Sequence, residues 1–498
     1  MGSRKGAKKM KLTDLLKGLS YQVLQQGKDA EISDVCYDTR HMKQDAVFVC
    51  IRGAKLDSHA FAEQAAEAGA AALVVEEPVE VSGVTVVQVA DTRIALAVMS
   101  AAYFGHPARR LKTIGITGSK GKTTATYMVK AILDQAGKKA GLIGSIGALI
   151  GEEKVKTINT TPESYELQKL FYRMAEAGCE YVVMEVSSQG LKLSRTAGFV
   201  FDYGIFLNIS RDHISPWEHA TLEEYLECKS RLFRQCKVGL INMDDKKHKE
   251  ILEGHTCQVE TFGFSPEADV QIVDYHNVSR PGYMGIGYHT KGKVELEMTV
   301  GSPGEFSAYD SLAAALACLH FGIPQEAVCH GLEHIKIRGR VETVDIPAPY
   351  TVILDFAHNG IGVENLIRAV RQYQPNRVLA VFGSDGNRTK IRRADAGEIL
   401  GNMADFTIVT SNSPRFEPLE EINAAIKEGL DRTTGKYVEI PDRRDAIRYA
   451  MKMAQPGDMV LLIGKGHWDT EDVNGVKYPF DERVVVKELY REMEGQMS

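Results

Sequence analysis

The stretch Gly115-Ile-Thr-Gly-Ser-Lys-Gly-Lys-Thr-Thr124 decides the fold around it. An apolar run at residues 111–116 leads into it, and an amphipathic segment that ends near Gly137 follows it. This order predicts a strand, a glycine-rich loop and a helix, an arrangement whose backbone N–H groups and helix N-terminus bind phosphate. Lys122 would then reach the terminal phosphates of a nucleotide, and the Thr123 hydroxyl would hold Mg²⁺.

The loop departs from the strict P-loop spacing at one position. That spacing places a glycine where Ile116 stands, so the motif is the variant Thr-Gly-x-x-Gly-Lys-Thr-Thr. The alternative is a glycine-rich turn that only packs a helix against a strand; the strand–loop–helix context favours the phosphate loop. The candidate nucleotide-binding residues of the loop are Gly118, Ser119, Lys120, Gly121, Lys122, Thr123 and Thr124.

The composition excludes two classes of partner. The chain has 498 residues, of which 44% are hydrophobic and 25% charged, and its net charge is −6. It therefore has no basic excess that would neutralise nucleic-acid phosphates. No apolar run approaches the roughly 18 residues of a membrane span. We expect neither a nucleic-acid partner nor a membrane partner.

The termini and cysteines indicate a cytoplasmic location. Residues 1–9 are basic, but Asp14 and Lys17 interrupt any apolar signal region, so a solvated tail is expected. The eight cysteines show no CxxC or CxH metal spacing, and Cys50 lies within an apolar run, as expected of a reduced thiol. A reducing compartment, the cytosol, follows from this pattern.

Strand-like and helix-like segments alternate along the chain, which predicts an α/β fold with parallel sheets covered on both faces. The pattern breaks near His106-Pro107 and again at residues 336–340. At about 100–200 residues per domain, the length fits three domains. We place them at residues 1–108, 109–337 and 338–498.

Polar and glycine residues repeatedly follow apolar strands. Open α/β sheets bind ligands at the carboxyl ends of their strands. Two such sheets with facing crevices would form an interdomain active site. The segments are residues 118–122, Glu185, and residues 208–213, 355–358, 383–388, 411–415 and 464–467.

Three polar residues, Glu185, His213 and Lys229, are candidates for metal chemistry. Glu185 ends an apolar run, and a carboxylate there is costly unless it is paired or metal-bound. Coordination of Mg²⁺ is one interpretation, and a strand-end glutamate facing solvent is the other. His213 could equally be structural, and Lys229 could be an ordinary solvated cation on a helix.

Taken together, these motifs resemble the Mur ligases, most closely the UDP-N-acetylmuramoyl-tripeptide synthetases, along nearly the whole chain. Each motif is weakly specific, whereas their order and spacing together are highly specific. The matching segments are Asp38-Thr-Arg40, Asp57-Ser-His-Ala-Phe61, the phosphate loop, Asn159-Thr-Thr-Pro162, Glu185-Val-Ser-Ser188, Ser210-Arg-Asp-His213, Lys229, Gly339-Arg-Val-Glu342, Asp355-Phe-Ala-His-Asn359, Ser413-Pro-Arg415 and Gly464-Lys-Gly-His467.

The resemblance implies an N-terminal α/β domain for the uridine nucleotide, a central P-loop parallel sheet and a C-terminal Rossmann-like domain. It implies that a carbamylated Lys229 ligates a second Mg²⁺. The implied catalytic residues are Lys122, His213, Lys229 and Asp355. The implied metal ligands are Thr123, Glu185, His213 and Lys229. Beyond the phosphate loop, Asp310, Arg340 and His358 would bind ATP. The implied substrate contacts are Thr39, Arg40, Asn159, Thr160, Thr161, Ser187, Arg195, Arg388, Asn412, Ser413, Arg415, Gly464 and Trp468.

The implied reaction joins a carboxylate to an amine. Transfer of the γ-phosphoryl group of ATP to the carboxylate makes an acyl phosphate, which the amine attacks. Lys122 and Mg²⁺ would stabilise the transferring charge, and cleft closure would protect the intermediate from water. The implied partners are ATP, a UDP-muramoyl-dipeptide and an amino acid, bound by a monomer.

Some positions depart from the family pattern. Gln189 stands where a histidine is usual, Leu193 where a glutamine is usual, and Ser307 and Asp310 where two asparagines are usual. These changes would alter substrate contacts or weaken nucleotide binding, and none removes a phosphate or metal ligand.

The amino-acid pocket departs further. Diaminopimelate-adding members have Asp-Asn-Pro-Arg and Gly-Lys-Gly-His-Glu, whereas this chain has Asn412-Ser-Pro-Arg415 and Trp468 in place of the final glutamate. The loss of two carboxylates would weaken binding of an ammonium, and the tryptophan would narrow the pocket. Two hypotheses stay open: an altered amino acid, or diaminopimelate in a drifted pocket. Arg388 and Arg415 could each hold a carboxylate, and Arg415 argues against lysine-adding members.

Two other functions compete with this one. Folylpolyglutamate synthetases resemble the central and C-terminal domains, but they begin close to their phosphate loop, whereas about 110 residues precede it here. A non-catalytic nucleotide-binding paralogue would be expected to lose Lys122, Glu185, His213 or Lys229, and all four are present.

Overall fold

The computed structural model describes residues 9–27, 31–53, 56–210, 219–280, 283–387 and 390–497. Two compact units make up the chain. The first unit comprises Met1–Gln271, Lys291–Val294 and Tyr309–Gly331, and the second comprises Ile272–Thr290, Glu295–Ala308 and Leu332–Ser498.

The N-terminal part of the first unit is a five-stranded sheet. Its elements are β1 (Met10–Lys11), α1 (Leu12–Leu15), β2 (Tyr21–Gln25), β3 (Glu31–Ile32), β4 (Val35–Cys36), β5 (Val47–Val49), α2 (Ala62–Glu67), β6 (Ala72–Val75), β7 (Thr85–Val89) and α3 (Thr92–Tyr103), with short 3₁₀ helices at Thr39–His41, Ser58–Phe61 and Pro107–Arg110. The strand order is β2-β7-β6-β5-β4, with β2 antiparallel to β7 and the other neighbours parallel. Strands β4, β5 and β6 are apolar throughout because both faces of the sheet are buried.

The middle sheet of the first unit holds the phosphate loop. Its elements are β8 (Lys112–Thr117), α4 (Lys122–Gln135), β9 (Ala140–Gly144), β10 (Gly147–Ile150), β11 (Glu153–Val155), α5 (Ser164–Glu176), β12 (Tyr181–Glu185), α6 (Ser188–Lys192), β13 (Phe201–Phe206), α7 (Leu222–Ser230), a 3₁₀ helix at Arg231–Arg234, β14 (Cys236–Asn242), α8 (His248–Ile251) and β15 (Gln258–Gly263). The order is β11-β10-β9-β12-β8-β13-β14-β15.

Strand β8 lies at the centre of this sheet, parallel to β12 on one side and β13 on the other. Ile116 pairs with Glu185 of β12 and with Ile205 of β13, so the carboxyl ends of the three strands meet at one edge. Strand β10 runs antiparallel to both β9 and β11. The sheet is therefore mixed, whereas the sequence predicted a parallel sheet.

The next segment is divided between the two units. Its elements are β16 (Val270–Arg280), β17 (Tyr283–Gly292), β18 (Glu297–Val300), α9 (Phe306–His320) and α10 (Gln325–Glu333). Strands β17 and β18 are antiparallel, and Ile286 pairs with Val300.

The second unit contains a six-stranded sheet. Its elements are β19 (Glu342–Val344), β20 (Thr351–Asp355), α11 (Gly360–Arg371), β21 (Val378–Phe382), α12 (Lys390–Met403), β22 (Phe406–Val409), α13 (Leu419–Leu430), β23 (Tyr437–Glu439), α14 (Arg443–Met453), β24 (Met459–Ile463), β25 (Thr470–Val473), β26 (Val476–Pro479) and α15 (Glu482–Met497). The order is β19-β20-β24-β21-β22-β23, parallel except for β19. Separate apolar clusters cover its two faces. The predicted α/β class is therefore confirmed.

None of the eight cysteines, all of which lie among the described residues, forms a disulfide, as expected of reduced thiols. Within the described part of the chain, no helix is both long and apolar enough to cross a membrane.

Candidate functional site

The phosphate loop connects β8 to α4 through a left-handed glycine. Gly121 has φ +85°, and a Cβ atom on it would collide with the carboxyl of Asp310. A glycine is therefore required there both by the backbone and by the neighbouring side chain. The Lys122 Nζ donates to the carbonyl oxygen of Gly118 at 2.7 Å, so the ammonium lies across the loop.

Glu185 lies at the end of β12 beside this loop, and its side chain is 1% exposed. Its Oε1 accepts hydrogen bonds from the Thr123 hydroxyl and the Ser145 N–H, both at 2.9 Å. Its Oε2 accepts from the Ser145 hydroxyl at 3.1 Å. The alternative of a solvent-facing glutamate is wrong: the carboxylate faces the first turn of α4.

The segment that contains Thr160 and Thr161 is bonded to the same strand end. The Thr161 hydroxyl donates to the Glu185 carbonyl and accepts from the Ser187 N–H, both at 2.9 Å. The hydroxyls of Thr160 and Ser145 are 3.1 Å apart. Three residues of the predicted substrate set are thus adjacent to Glu185, and Asn159 immediately precedes them.

Lys229, on α7, is buried against the phosphate loop and is not the solvated cation of the alternative interpretation. Its Nζ donates to the carbonyl oxygen of Gly118 at 2.9 Å and lies 4.6 Å from the centre of the Tyr225 ring. Gly118 thus accepts from both Lys122 and Lys229. Helix α7 brings this lysine to the loop although about 110 residues separate them in the sequence.

Arg195 bonds to the other side of the segment that contains Thr160 and Thr161. Its guanidinium donates to the Thr161 carbonyl at 3.0 Å and to the Glu163 carboxylate at 2.7 Å. The same carboxylate is 3.6 Å from Arg93 of the N-terminal part. Glu163 therefore links the N-terminal sheet to the middle sheet within the first unit.

Thr39 and Arg40 lie in the 3₁₀ helix Thr39–His41 of the N-terminal part and not in the part of the first unit that holds the phosphate loop. Asp38 precedes them and accepts from the backbone N–H of Arg40 at 3.0 Å. The exposed Arg40 guanidinium also bonds this carboxylate at 2.6 Å, which lowers the pKa of Asp38 to about 2. The Arg40 side chain is thereby held near the start of the 3₁₀ helix.

Asp310 is the departure from the family pattern that lies nearest the loop. Its carboxyl is buried beside Gly121. Burial raises its pKa well above the usual range, and the nearby Lys122 ammonium only partly opposes this effect.

In the second unit, Asp355 is buried at the end of β20. Its carboxylate accepts from the backbone N–H groups of Val341 at 2.8 Å and Ala357 at 2.7 Å, while burial raises its pKa. Arg340 lies 5.5 Å from the centre of the Phe356 ring. The His358 Nδ1 is 3.0 Å from the Phe356 carbonyl oxygen. The three predicted residues thus surround the Phe356 segment.

The described residues that were predicted to contact the amino acid lie just beyond the ends of β22 and β24, near the end of β21. The Asn412 amide and the Arg415 guanidinium both donate to Asp385, at 3.0 and 3.1 Å. A Cβ on Gly464 would lie 3.4 Å from the Asn412 amide nitrogen. The Ser413 hydroxyl accepts from the Asp472 N–H at 3.3 Å.

Two carboxylates at this edge, those of Asp385 and Glu471, were not among the residues predicted from the sequence. Asp385 lies within the polar run after β21, and that run was the available signal. Glu471 accepts from the Ser411 hydroxyl at 3.1 Å. Two acidic side chains therefore lie at this edge in addition to the predicted residues. Trp468 is 49% exposed and lies 4.9 Å from the His467 ring, so about half of it faces solvent.

His213 and Arg388 lie outside the described residues. The rest of the predicted set falls into three groups. Thr39 and Arg40 lie in the N-terminal part, a second group lies around the phosphate loop in the first unit, and a third lies at the carboxyl edge of the second unit's sheet. The oxygen ligands of Thr123 and Glu185 are of the type that Mg²⁺ prefers.

The phosphate loop and the three-domain α/β fold define a nucleotide-dependent enzyme. Three family models match the chain: "Mur ligase family, catalytic domain" at residues 31–113, "Mur ligase middle domain" at 116–318, and "Mur ligase, glutamate ligase domain" at 339–466. The chain belongs to the Mur ligase family, whose members are ATP-dependent ligases.

Curated relatives match along the whole length. One, from Caldanaerobacter subterraneus subsp. tengcongensis, is 41% identical over 492 residues, covering 97% of this chain and 100% of the relative. Another, from Clostridium perfringens, is 39% identical, covering 96% and 99%. Both are named UDP-N-acetylmuramoyl-L-alanyl-D-glutamate–2,6-diaminopimelate ligase.

Solved structures show the same fold. A UDP-N-acetylmuramoyl-L-alanyl-D-glutamate–2,6-diaminopimelate ligase has a TM-score of 0.74 at 24% identity, covering 98% of this chain and 100% of that one. Folylpolyglutamate synthase from Thermotoga maritima has a TM-score of 0.59 at 18% identity, covering 75% and 89%. At these identities both likenesses concern the fold alone.

Proposed function

We propose that this ligase joins diaminopimelate to UDP-N-acetylmuramoyl-L-alanyl-D-glutamate, with ATP converted to ADP and phosphate, in peptidoglycan precursor synthesis. The observation that carries the proposal is the full-length match, at 41% and 39% identity, to relatives named for this reaction. The hydrogen-bonded group of Thr123, Glu185 and Thr161 beside the phosphate loop supports it. The proposed enzyme acts as a monomer. Its location would be the cytoplasm, a reducing compartment in which cysteines without disulfides are expected.

The chemistry assigns distinct tasks to the chain's residues. The substrate carboxylate receives the γ-phosphoryl group, and the resulting acyl phosphate has a good leaving group for attack by the amine. Lys122 would move from the Gly118 carbonyl to the transferring phosphoryl and stabilise its charge. Thr161 and Arg195, already bonded to each other, would orient the carboxylate-bearing substrate.

Two Mg²⁺ ions are part of the proposal. The Thr123 hydroxyl and the Glu185 carboxylate would hold one, together with His213. A bound Mg²⁺ neutralises phosphate charge. An ammonium at Lys229 would repel a cation, but a carbamate there would add an anionic ligand next to the loop. We therefore include carbamylation, in which the neutral Lys229 amine adds CO₂ and releases a proton.

Carbamylation is tested by NMR on protein equilibrated with ¹³C-bicarbonate. A carbamate carbonyl signal is expected in the wild type and not in Lys229→Arg. The exposed Lys237→Arg serves as a control and should retain the signal. A wild-type spectrum without that signal would overturn this part of the proposal.

The function is tested by phosphate release from ATP with UDP-N-acetylmuramoyl-L-alanyl-D-glutamate and one amino acid at a time. We expect release with diaminopimelate and none with lysine. Release with a different amino acid alone would overturn the diaminopimelate assignment and make Asn412, Ser413 and Trp468 the specificity determinants. No release with any amino acid would overturn the acceptor assignment.

A further inference from the structure

Asp385 lies three residues beyond the end of β21, where its position is fixed from several sides. Its carbonyl oxygen accepts from the buried Arg393 guanidinium at 3.0 Å. Arg393 is held in turn by an ion pair with Glu417 at 2.6 Å. The backbone of Asp385 is therefore anchored independently of its carboxylate, and the carboxylate is placed on a rigid support.

Among the described residues, two side chains donate hydrogen bonds to the Asp385 carboxylate. Oδ1 accepts from the Asn412 amide and Oδ2 from the Arg415 guanidinium. A carboxylate offers about four acceptor positions, so these two bonds leave capacity for a further donor. The side chains of Asp385 and Arg415 are 29% and 32% exposed, which leaves both open to a small molecule.

Asn412 makes this arrangement possible. A second carboxylate at position 412 would lie about 3 Å from Asp385, where two like charges repel. The neutral amide instead donates to Asp385 and stabilises its negative charge. Of these two neighbouring side chains, only Asp385 therefore carries a negative charge.

We propose that Asp385 binds the ammonium at the non-reacting end of the incoming amino acid, beside the distal carboxylate that the family resemblance already assigns to Arg415. An adjacent anion and guanidinium match the ammonium and carboxylate of a zwitterion. The inference rests on the proposed function, because diaminopimelate has such an end in addition to the amine that reacts. It makes Asp385 a specificity-determining residue of this chain.

The inference predicts selectivity between two substrates. 2-Aminopimelate has both carboxylates of diaminopimelate and a single amino group. When that amine reacts, the distal end keeps the carboxylate for Arg415 and has no ammonium for Asp385. Comparing the two substrates in wild type and variant isolates the Asp385–ammonium contact, as in a double-mutant cycle.

The experiment measures kcat/KM for both substrates in the wild type, Asp385→Asn and Arg415→Ala. Asp385→Asn should lower kcat/KM for diaminopimelate by about 30-fold or more, chiefly through KM, because an ammonium loses its partner. It should change kcat/KM for 2-aminopimelate by less than about threefold. Arg415→Ala should lower both by about tenfold or more, since both substrates have the distal carboxylate.

The matched control is Glu471→Gln, which removes a carboxylate from the same edge. It should leave the ratio of the two kcat/KM values unchanged. Equal losses for both substrates in Asp385→Asn would show that Asp385 only positions Arg415 and would overturn the inference, as would no loss for either. A wild type inactive with diaminopimelate would instead overturn the proposed function, and this inference with it.

Discussion

Lys465, which follows β24, shows how strongly burial can lower the pKa of a single lysine near the candidate amino-acid pocket. Its side chain is buried, and its Nζ donates to the Thr470 carbonyl at 2.9 Å. Burial, and then the charge of Arg443, lower the pKa of Lys465 to about 8. A charge so placed is stable only because a backbone acceptor compensates part of the lost hydration.

This pKa predicts a pH-dependent stability. An unfolded lysine titrates near 10.4, so between about pH 8 and pH 10 the unfolded state binds more protons than the folded state. The free energy of unfolding therefore rises with pH in this window. Lys465→Met should remove up to about 3 kcal/mol of that rise, measured by urea unfolding at the two pH values. The exposed Lys487→Met is the control, and an unchanged slope in Lys465→Met would contradict the prediction.

At the scale of the element, the phosphate loop depends on how helix α4 begins. Gly121 and Gly137 flank this helix, and both have positive φ angles, +85° and +67°. A Cβ on Gly121 would meet the Asp310 carboxyl, whereas a Cβ on Gly137 meets nothing within 4 Å. A comparison of substitutions at the two glycines therefore distinguishes the effect of backbone strain from the effect of a steric collision.

Alanine at each position should therefore have different effects. Both substitutions should cost about 1–2 kcal/mol through the left-handed backbone. Only Gly121→Ala should also displace Asp310 and the loop, weakening ADP binding by about tenfold or more in calorimetry. Equal ADP affinity in the two variants would show that the collision is relieved without moving the loop.

At the scale of the whole molecule, a buried ion pair holds the second unit together. Arg443 and Glu482 are both 1% exposed and lie 2.7 Å apart, joining α14 to α15. The same guanidinium donates to the carbonyls of Ser411 at 2.9 Å and Ile463 at 3.1 Å. These carbonyls lie just after β22 and at the end of β24, so one side chain ties two helices to the edge that holds the candidate pocket.

Removing this pair should destabilise the chain strongly. Arg443→Met leaves Glu482 buried without its cation, which should lower the free energy of unfolding by about 3–5 kcal/mol. Arg444→Met removes the neighbouring, more exposed pairs with Glu488 and Glu492 and should cost at most about 1 kcal/mol. Urea midpoints at constant slope measure both values. Similar midpoints for the two variants would be inconsistent with a structural role for the Arg443 pair.

Strand prediction succeeded where an apolar run was unbroken. The unbroken apolar run Val-Leu-Ala-Val-Phe at 378–382 coincides with the strand Val378–Phe382. The apolar run at 205–207 covers only the end of the strand Phe201–Phe206, because Asp202 and Gly204 interrupt the apolar pattern before it. Asp202 is accommodated because its carboxylate accepts from the Thr113 N–H at 2.8 Å, a contact with the neighbouring strand.

The sequence by itself determined the alternation of strands and helices along the chain, the phosphate loop and the family, because these depend on local patterns and motif spacing. Only the tertiary structure decided which side chains meet. Glu185 faces Thr123 because β12 lies beside β8, and Lys229 reaches Gly118 because α7 returns to the loop. Asp385 meets Arg415 because β21 and β22 are neighbours. Contacts of this kind follow from strand order and burial across the sheet, which no local stretch of the chain encodes.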